Sequence, residues 1–268
     1  MYPILFRLDG FTIYSYGFFL ILGIVVSGIL AIQKVRKEGP PIPFERVADL
    51  FFYSVLSAVI GSRILFVLIN FDLYRESPLR IFKIWEGGLV FYGGLILAVG
   101  VSIGYIRWYR LPIWKLFDLV SPLLALGLFF GRIGCYFAGC CYGKETSLPW
   151  GVIFTDPTSL ARLNVPLHPT QLYDAVNGLA LFLFLLWKEK RKAFDGQIFF
   201  FFLFLYSVTR FFIEMLRGDP RGFLFQDFLS PSQGIGIFFA ILAVFMLFFL
   251  KRKSSSVTET KDINSKGV

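Results

Sequence analysis

The chain has one histidine, His168, and three cysteines in 268 residues, and no two of the cysteines form a C-x-x-C pair. That absence removes the usual signature of a thiol redox motif or a zinc ribbon, and an odd count leaves one thiol without an internal partner. Charged residues are scarce too, at 17%, and long stretches contain none. A chain this poor in charge is not a soluble domain. The first apolar run, Phe11 to Ile32, has no small-residue cleavage site after it and meets Gln33-Lys34-Val35-Arg36-Lys37 directly. It is longer than the h-region of a signal peptide and is expected to remain in the membrane.

What is present is apolar surface: 56% of residues are hydrophobic, and 34 are phenylalanine. Long apolar runs fall near Phe11 to Ile32, Val47 to Ile69, Gly88 to Ile106, Leu116 to Phe137, Leu172 to Trp187, Ile198 to Ile213 and Gly234 to Leu250. They predict an all-α membrane protein with seven transmembrane helices over residues 1–253. A polar tail, 254–268, is expected to be disordered and cytoplasmic. Placing the N-terminus outside and the C-terminus in the cytoplasm puts sixteen lysines and arginines on the inner segments and eight on the outer ones, as the positive-inside rule requires. The net charge of +9 is then mostly membrane anchors facing anionic lipid and calls for no nucleic acid.

Between the runs, Glu38-Gly39-Pro40-Pro41-Ile42-Pro43 reads as a turn. Trp85-Glu86-Gly87-Gly88-Leu89-Val90-Phe91-Tyr92-Gly93-Gly94 reads either as a loop dipping into the membrane, with two glycine pairs bracketing Tyr92, or as an interfacial turn. Residues 142–169 form the longest outer segment and predict a small external cap between helices 4 and 5, with a short strand at Gly151 to Phe154. Thr170 is a plausible N-cap for the fifth helix, with Asp174 in or near its first turn. His168, before Pro169, suits a turn residue or a catalyst. In the sixth run Tyr206, Arg210, Glu214 and Arg217 recur at steps of four, four and three, which predicts one polar helix face turned into the bundle.

Three arginines, Arg63, Arg132 and Arg210, fall inside predicted spans. Such charges need partners. With Arg210 and Arg217 outnumbering Glu214, the pattern predicts a site for an anion. Lipid phosphate is the natural one, gripped by paired guanidinium hydrogen bonds that also stabilise charge on a phosphate leaving group.

Four stretches carry a resemblance: Gly87 to Gly94, Gly131-Arg132-Ile133-Gly134, His168-Pro169-Thr170-Gln171-Leu172-Tyr173, and Tyr206 to Glu214. In order, and with Ile60-Gly61-Ser62-Arg63, Trp85-Glu86 and Ser232-Gln233-Gly234, they resemble the motifs of the bacterial prolipoprotein diacylglyceryl transferases. The resemblance implies a multi-pass enzyme of the bacterial cytoplasmic (inner) membrane with its site toward the outer leaflet. It would transfer the diacylglyceryl group of phosphatidylglycerol to the lipobox cysteine thiol of a prolipoprotein signal peptide, releasing glycerol phosphate. It would put Arg132 and Arg210 on the phosphate, with Tyr16, Arg63, Gly143, Tyr206 and Glu214 shaping the site and Tyr92 and His168 as further catalytic candidates.

The chain departs from the family's pattern at three positions. Tyr92 stands where the family usually has histidine, and an ordinary tyrosine, with a pKa of about 10, is a poor base at neutral pH. Cys135 and Cys140 stand where the family has asparagine and glutamate, which leaves Arg132 less compensated. The cysteines admit three readings: a disulfide from Cys135 to Cys140 or Cys141, three neutral small side chains, or a metal site with His168 as fourth ligand. C-x4-C-C is not a usual ligand spacing, so no metal or organic cofactor is expected. The rival functions are a lipid- or lipoprotein-binding paralogue that lost its base, and a thiol-disulfide membrane oxidoreductase.

Overall fold

The structure is a computed structural model, and it describes residues 2–8, 11–38, 42–75, 77–83, 87–219 and 229–266. Most of the proline-rich turn after Glu38 and the Trp85-Glu86 pair lie outside the described residues. Among the described residues, seven helices are long and apolar enough to cross a membrane, matching the seven runs. They are α1 (Ser15–Glu38), α2 (Phe44–Ile69), α4 (Phe91–Trp108), α5 (Ile113–Ala138), α6 (Thr170–Glu189), α7 (Gln197–Met215) and α8 (Pro231–Lys266). Between α2 and α4 lie the one-turn helix α3 (Asp72–Arg75) and a 3-10 turn, Pro78–Phe82. The N-terminal arm is an antiparallel hairpin of β1 (Ile4–Leu8) and β2 (Phe11–Tyr14).

Two compact units divide the chain, Met1–Ala31 with Trp114–Val268, and Ile32–Ile113. The first is built on α5. At 26 residues, α5 is about 39 Å long, enough to carry chemistry at one end and anchorage at the other. Ala125 in its middle packs with Leu181 and Leu185 of α6 and Ile198 and Phe202 of α7, and the Asn177 amide donates to Thr209 Oγ1 at 2.9 Å to tie α6 to α7. A second cluster joins Phe194 and Phe200 to Ala243 and Leu250 of α8. Near the start of α5, buried Asp118 accepts the backbone N–H groups of Gly196 at 2.7 Å and Phe199 at 3.0 Å. Those donors open α7 and have no partner within their own helix, so one carboxylate caps it from a neighbouring helix. Lys192 Nζ lies 3.2 Å from the same carboxylate. Burial works against the lysine's charge, but Asp195 and Asp118 raise its pKa above the ordinary value.

The second unit is an α2–α4 pair. Gly61 and Gly93 meet where each would place a Cβ against the other's carbonyl oxygen, so the helices approach at a distance only glycine permits. Of the two expected glycine pairs, Gly87 and Gly88 are loop residues at φ 85° and 78°, while Gly93 and Gly94 belong to α4 and its contact with α2.

The segment between α5 and α6 forms a small ordered unit. β3 (Val152–Ile153), where a strand was expected, pairs with β4 (Pro166–Leu167), and Phe154 and Leu167 are fully buried in a core with Ala161. The tail expected to be disordered continues α8 as helix as far as Lys266. Extending an existing helix costs far less than nucleating one, so polar composition alone does not end α8.

Candidate functional site

Arg132, six residues before the end of α5, and Arg210, on α7, converge on one carboxylate. Arg132 Nε is 3.3 Å and Arg210 Nη1 3.5 Å from Asp174 Oδ2. Asp174 is one turn into α6 and only 3% exposed. Arg210 Nη2 also hydrogen-bonds Glu214 Oε2, one turn along α7, and Glu214 Oε1 accepts Ser230 Oγ at 3.2 Å. The predicted step of four therefore holds for Arg210 and Glu214. The ion pairs to Asp174 lack hydrogen-bond geometry: among the described residues neither Asp174 oxygen accepts a hydrogen bond, and Arg210 Nη1 donates none. A buried polar atom left so costs roughly 1–3 kcal/mol, and orphaned groups of both signs within 3.5 Å mark a place built for a further partner.

Two expectations are corrected here. Arg217 does not share the helical face, because α7 ends at Met215. It leaves the axis, bridges Gly143 in antiparallel fashion, and grips Asp219 with two bonds of 2.8 Å. Nor is Arg132 short of a counter-charge. Asp174 and Glu214 match Arg132 and Arg210 one for one, and Asp219 matches Arg217, so the site is balanced where the sequence suggested excess positive charge.

The turn leaving α5 gathers the thiols. Gly139 (φ 77°) and Cys141 (φ 64°) both take left-handed backbone, a conformation that cysteine seldom adopts. The reversal puts the Cys135, Cys140 and Cys141 sulfurs within 4.8 Å of one another, and all three are free thiols, so of the three readings the disulfide is not the one formed here. Thr170 Oγ1 donates to the Cys141 carbonyl at 2.8 Å and Gln171 Nε2 to the Cys140 carbonyl at 2.9 Å. Thr170 is therefore no N-cap. It is the first residue of α6, makes no cap bond, and directs its hydroxyl to the cysteine turn. The Cys135 and Cys140 thiols, by hydrogen bonding, and the Arg217 charge push the Cys141 pKa below the ordinary thiol value. For Arg217, burial opposes the charge, but bonds to Asp219 and Cys141 outweigh it and raise its pKa. Tyr16, near the start of α1, has its backbone against Gly134 of α5, between Arg132 and Cys135 in sequence. Tyr206 stacks on Phe202 with ring centres 5.8 Å apart.

His168 Nδ1 is 3.3 Å from Tyr173 Oη, which accepts Trp150 Nε1–H at 2.8 Å. The histidine is thus tied to Tyr173 and Trp150 and is not one of the residues gathered at the thiols. Gly143 donates its N–H to the His168 carbonyl at 3.0 Å, and a Cβ there would collide with His168 and Leu216. Its role is close packing of the turn against its neighbours.

In the other unit, Arg63 is buried with its guanidinium on five carbonyls: Ile81, Gly87, Gly88, Arg80 and Lys83, at 2.6–3.2 Å. Its donors organise the loop before α4 and are not available to grip a phosphate. Tyr92 is in the first turn of α4 and 67% exposed. The residue that sequence reasoning missed as a site member is Asp174. A carboxylate one turn inside an apolar helix is the signal the sequence offers, and helix-end chemistry accounts for the same residue equally well.

The model of the family described as prolipoprotein diacylglyceryl transferase matches residues 3–249. A phosphatidylglycerol–prolipoprotein diacylglyceryl transferase of Clostridium tetani is 37% identical over 92% of this chain and 96% of its own length. A second protein of that name, from Clostridium perfringens, is 36% identical over 96% and 99%, and one from Vibrio cholerae is 33% identical over 91% and 90%. With seven apolar helices and a converging arginine pair, a match over nearly the whole length places this chain in the prolipoprotein diacylglyceryl transferase family.

Proposed function

We propose that this protein transfers the diacylglyceryl group of phosphatidylglycerol to the lipobox cysteine thiol of prolipoprotein signal peptides, releasing glycerol phosphate, at the outer leaflet of a bacterial cytoplasmic membrane. The observation that carries this reading is the convergence of Arg132 and Arg210 on Asp174, with a buried Arg210 donor that has no hydrogen bond among the described residues. A lipid phosphate entering there takes guanidinium hydrogen bonds that water cannot supply in a low-dielectric interior. As the thiolate attacks the glycerol carbon, the carbon–oxygen bond to phosphate breaks and the departing oxygen gains charge beside both arginines, where it is stabilised. Asp174 and Glu214 hold the guanidinium groups in register. The ordered segment 142–169 is the external cap of this reading, and it supports recognition of the polypeptide at the same end of the bundle.

The test is glycerol phosphate release by the purified protein given phosphatidylglycerol and a lipobox peptide, with a cysteine-to-serine peptide as control. Release that needs the peptide thiol is expected. Bound lipid with no release overturns the transferase reading in favour of a binding paralogue.

A further inference from the structure

We propose that Cys135, Cys140 and Cys141 form a three-thiolate zinc site that takes the substrate peptide's thiol as its fourth ligand. This rests on the transferase reading and supplies the thiol activation that reading needs. Three protein ligands with one open position is the pattern of catalytic zinc, and coordination to a metal is one of the ways a weak nucleophile is activated. Zinc–sulfur bonds of about 2.3 Å in a tetrahedron set sulfurs about 3.8 Å apart. The three sulfurs already lie within 4.8 Å, so closing on an ion takes a contraction of about 1 Å.

The turn is organised for convergence. Cys141 takes left-handed backbone, φ 64°, and strain of that kind concentrates at functional sites. The carbonyls of Cys140 and Cys141 both accept hydrogen bonds from side chains of α6, Gln171 and Thr170, so the backbone that carries two of the three thiols is anchored to a neighbouring helix. Zinc with three thiolates carries one net negative charge, and two guanidinium groups flank the turn: Arg217 bridges Gly143, two residues beyond Cys141, and Arg132 precedes Cys135 on α5. Cys135 is three residues beyond Arg132 on α5, so the two share a helix face with Cβ atoms about 5–6 Å apart. A thiolate on the metal and a phosphate on the arginine would therefore meet across a glycerol carbon.

The chemistry balances. The peptide thiol binds zinc and loses its proton to water. The zinc-held thiolate forms the sulfur–carbon bond as the carbon–oxygen bond breaks, and the electron pair leaves on glycerol phosphate. The product is a neutral thioether, a weaker ligand than a thiolate, and it departs.

The test uses the full chain purified under reducing conditions without chelator. Elemental analysis is expected to give about one zinc per chain, with zinc content lost from Cys140→Ser purified the same way. Chelation of the unaltered protein followed by zinc return should remove and restore transfer, a check that needs no variant to fold. Cobalt replacing zinc should show thiolate charge-transfer absorption that shifts with a lipobox peptide and not with its serine form. Zinc-free protein as isolated, equal zinc in Cys140→Ser, or a cobalt spectrum indifferent to the cysteine peptide would overturn the site. Bound zinc without glycerol phosphate release would sink the transferase reading alone, and release from zinc-free protein would sink the metal alone.

Discussion

Asp118 and Asp174 are both carboxylates buried inside apolar helices of the same bundle, and they are treated in opposite ways. Asp118 accepts two backbone N–H groups and lies beside Lys192, so both its oxygens are occupied. Asp174 has two arginines within 3.5 Å and accepts no hydrogen bond among the described residues. The first arrangement is complete within the chain and does structural work. The second holds charge in position without consuming its hydrogen bonds, as a site must if its ligand arrives later. Burial and formal charge are alike at the two ends. What separates anchorage from chemistry is whether the polar atoms are satisfied.

Breaking the pair at each end should give opposite signatures. Arg132→Ala and Arg210→Ala are each expected to lower transfer by about 100- to 1000-fold while the protein still inserts. Glycerol phosphate release normalised to folded protein measures this, and near-normal rates in both would remove the phosphate clamp. Asp118→Ala should do the reverse. Removing one partner of a buried ion pair costs about 3 kcal/mol of stability, seen as earlier thermal unfolding in detergent, with transfer per folded molecule unchanged. Asp174→Asn sharpens the contrast most finely. It keeps the shape and removes the charge, so the maximal rate should fall about tenfold, roughly 1.4 kcal/mol, with no loss of lipid affinity. A rate that holds while affinity drops would make Asp174 a lipid contact instead.

Much of the architecture was legible because a bilayer imposes it: seven apolar runs of spanning length became seven apolar helices. Arg210 and Glu214 were legible because a step of four on a helix is a contact. The same rule failed three residues later, since period says nothing about where a helix stops, and Arg217 lies beyond Met215. Asp174 was missed, and Thr170 taken for a cap, because residues near a helix start fit local capping as well as tertiary pairing. The thiol cluster depended on the sign of φ at Cys141, which spacing does not encode. Arg63 looked like a phosphate ligand because carbonyl acceptors have no sequence signature.

Arg63 has one more consequence, for biogenesis. Its hydrogen-bond acceptors are all carbonyls of residues that follow α2, between Arg80 and Gly88, with the Phe66 and Tyr74 rings beside the guanidinium. An unpaired arginine inside a span costs about 2.5–3.5 kcal/mol at insertion, and from its own residues α2 supplies only the Phe66 ring, with no hydrogen-bond acceptor. The helix and the loop behind it must therefore settle into the membrane as one folded piece, which makes the order of synthesis part of how this protein reaches its native form.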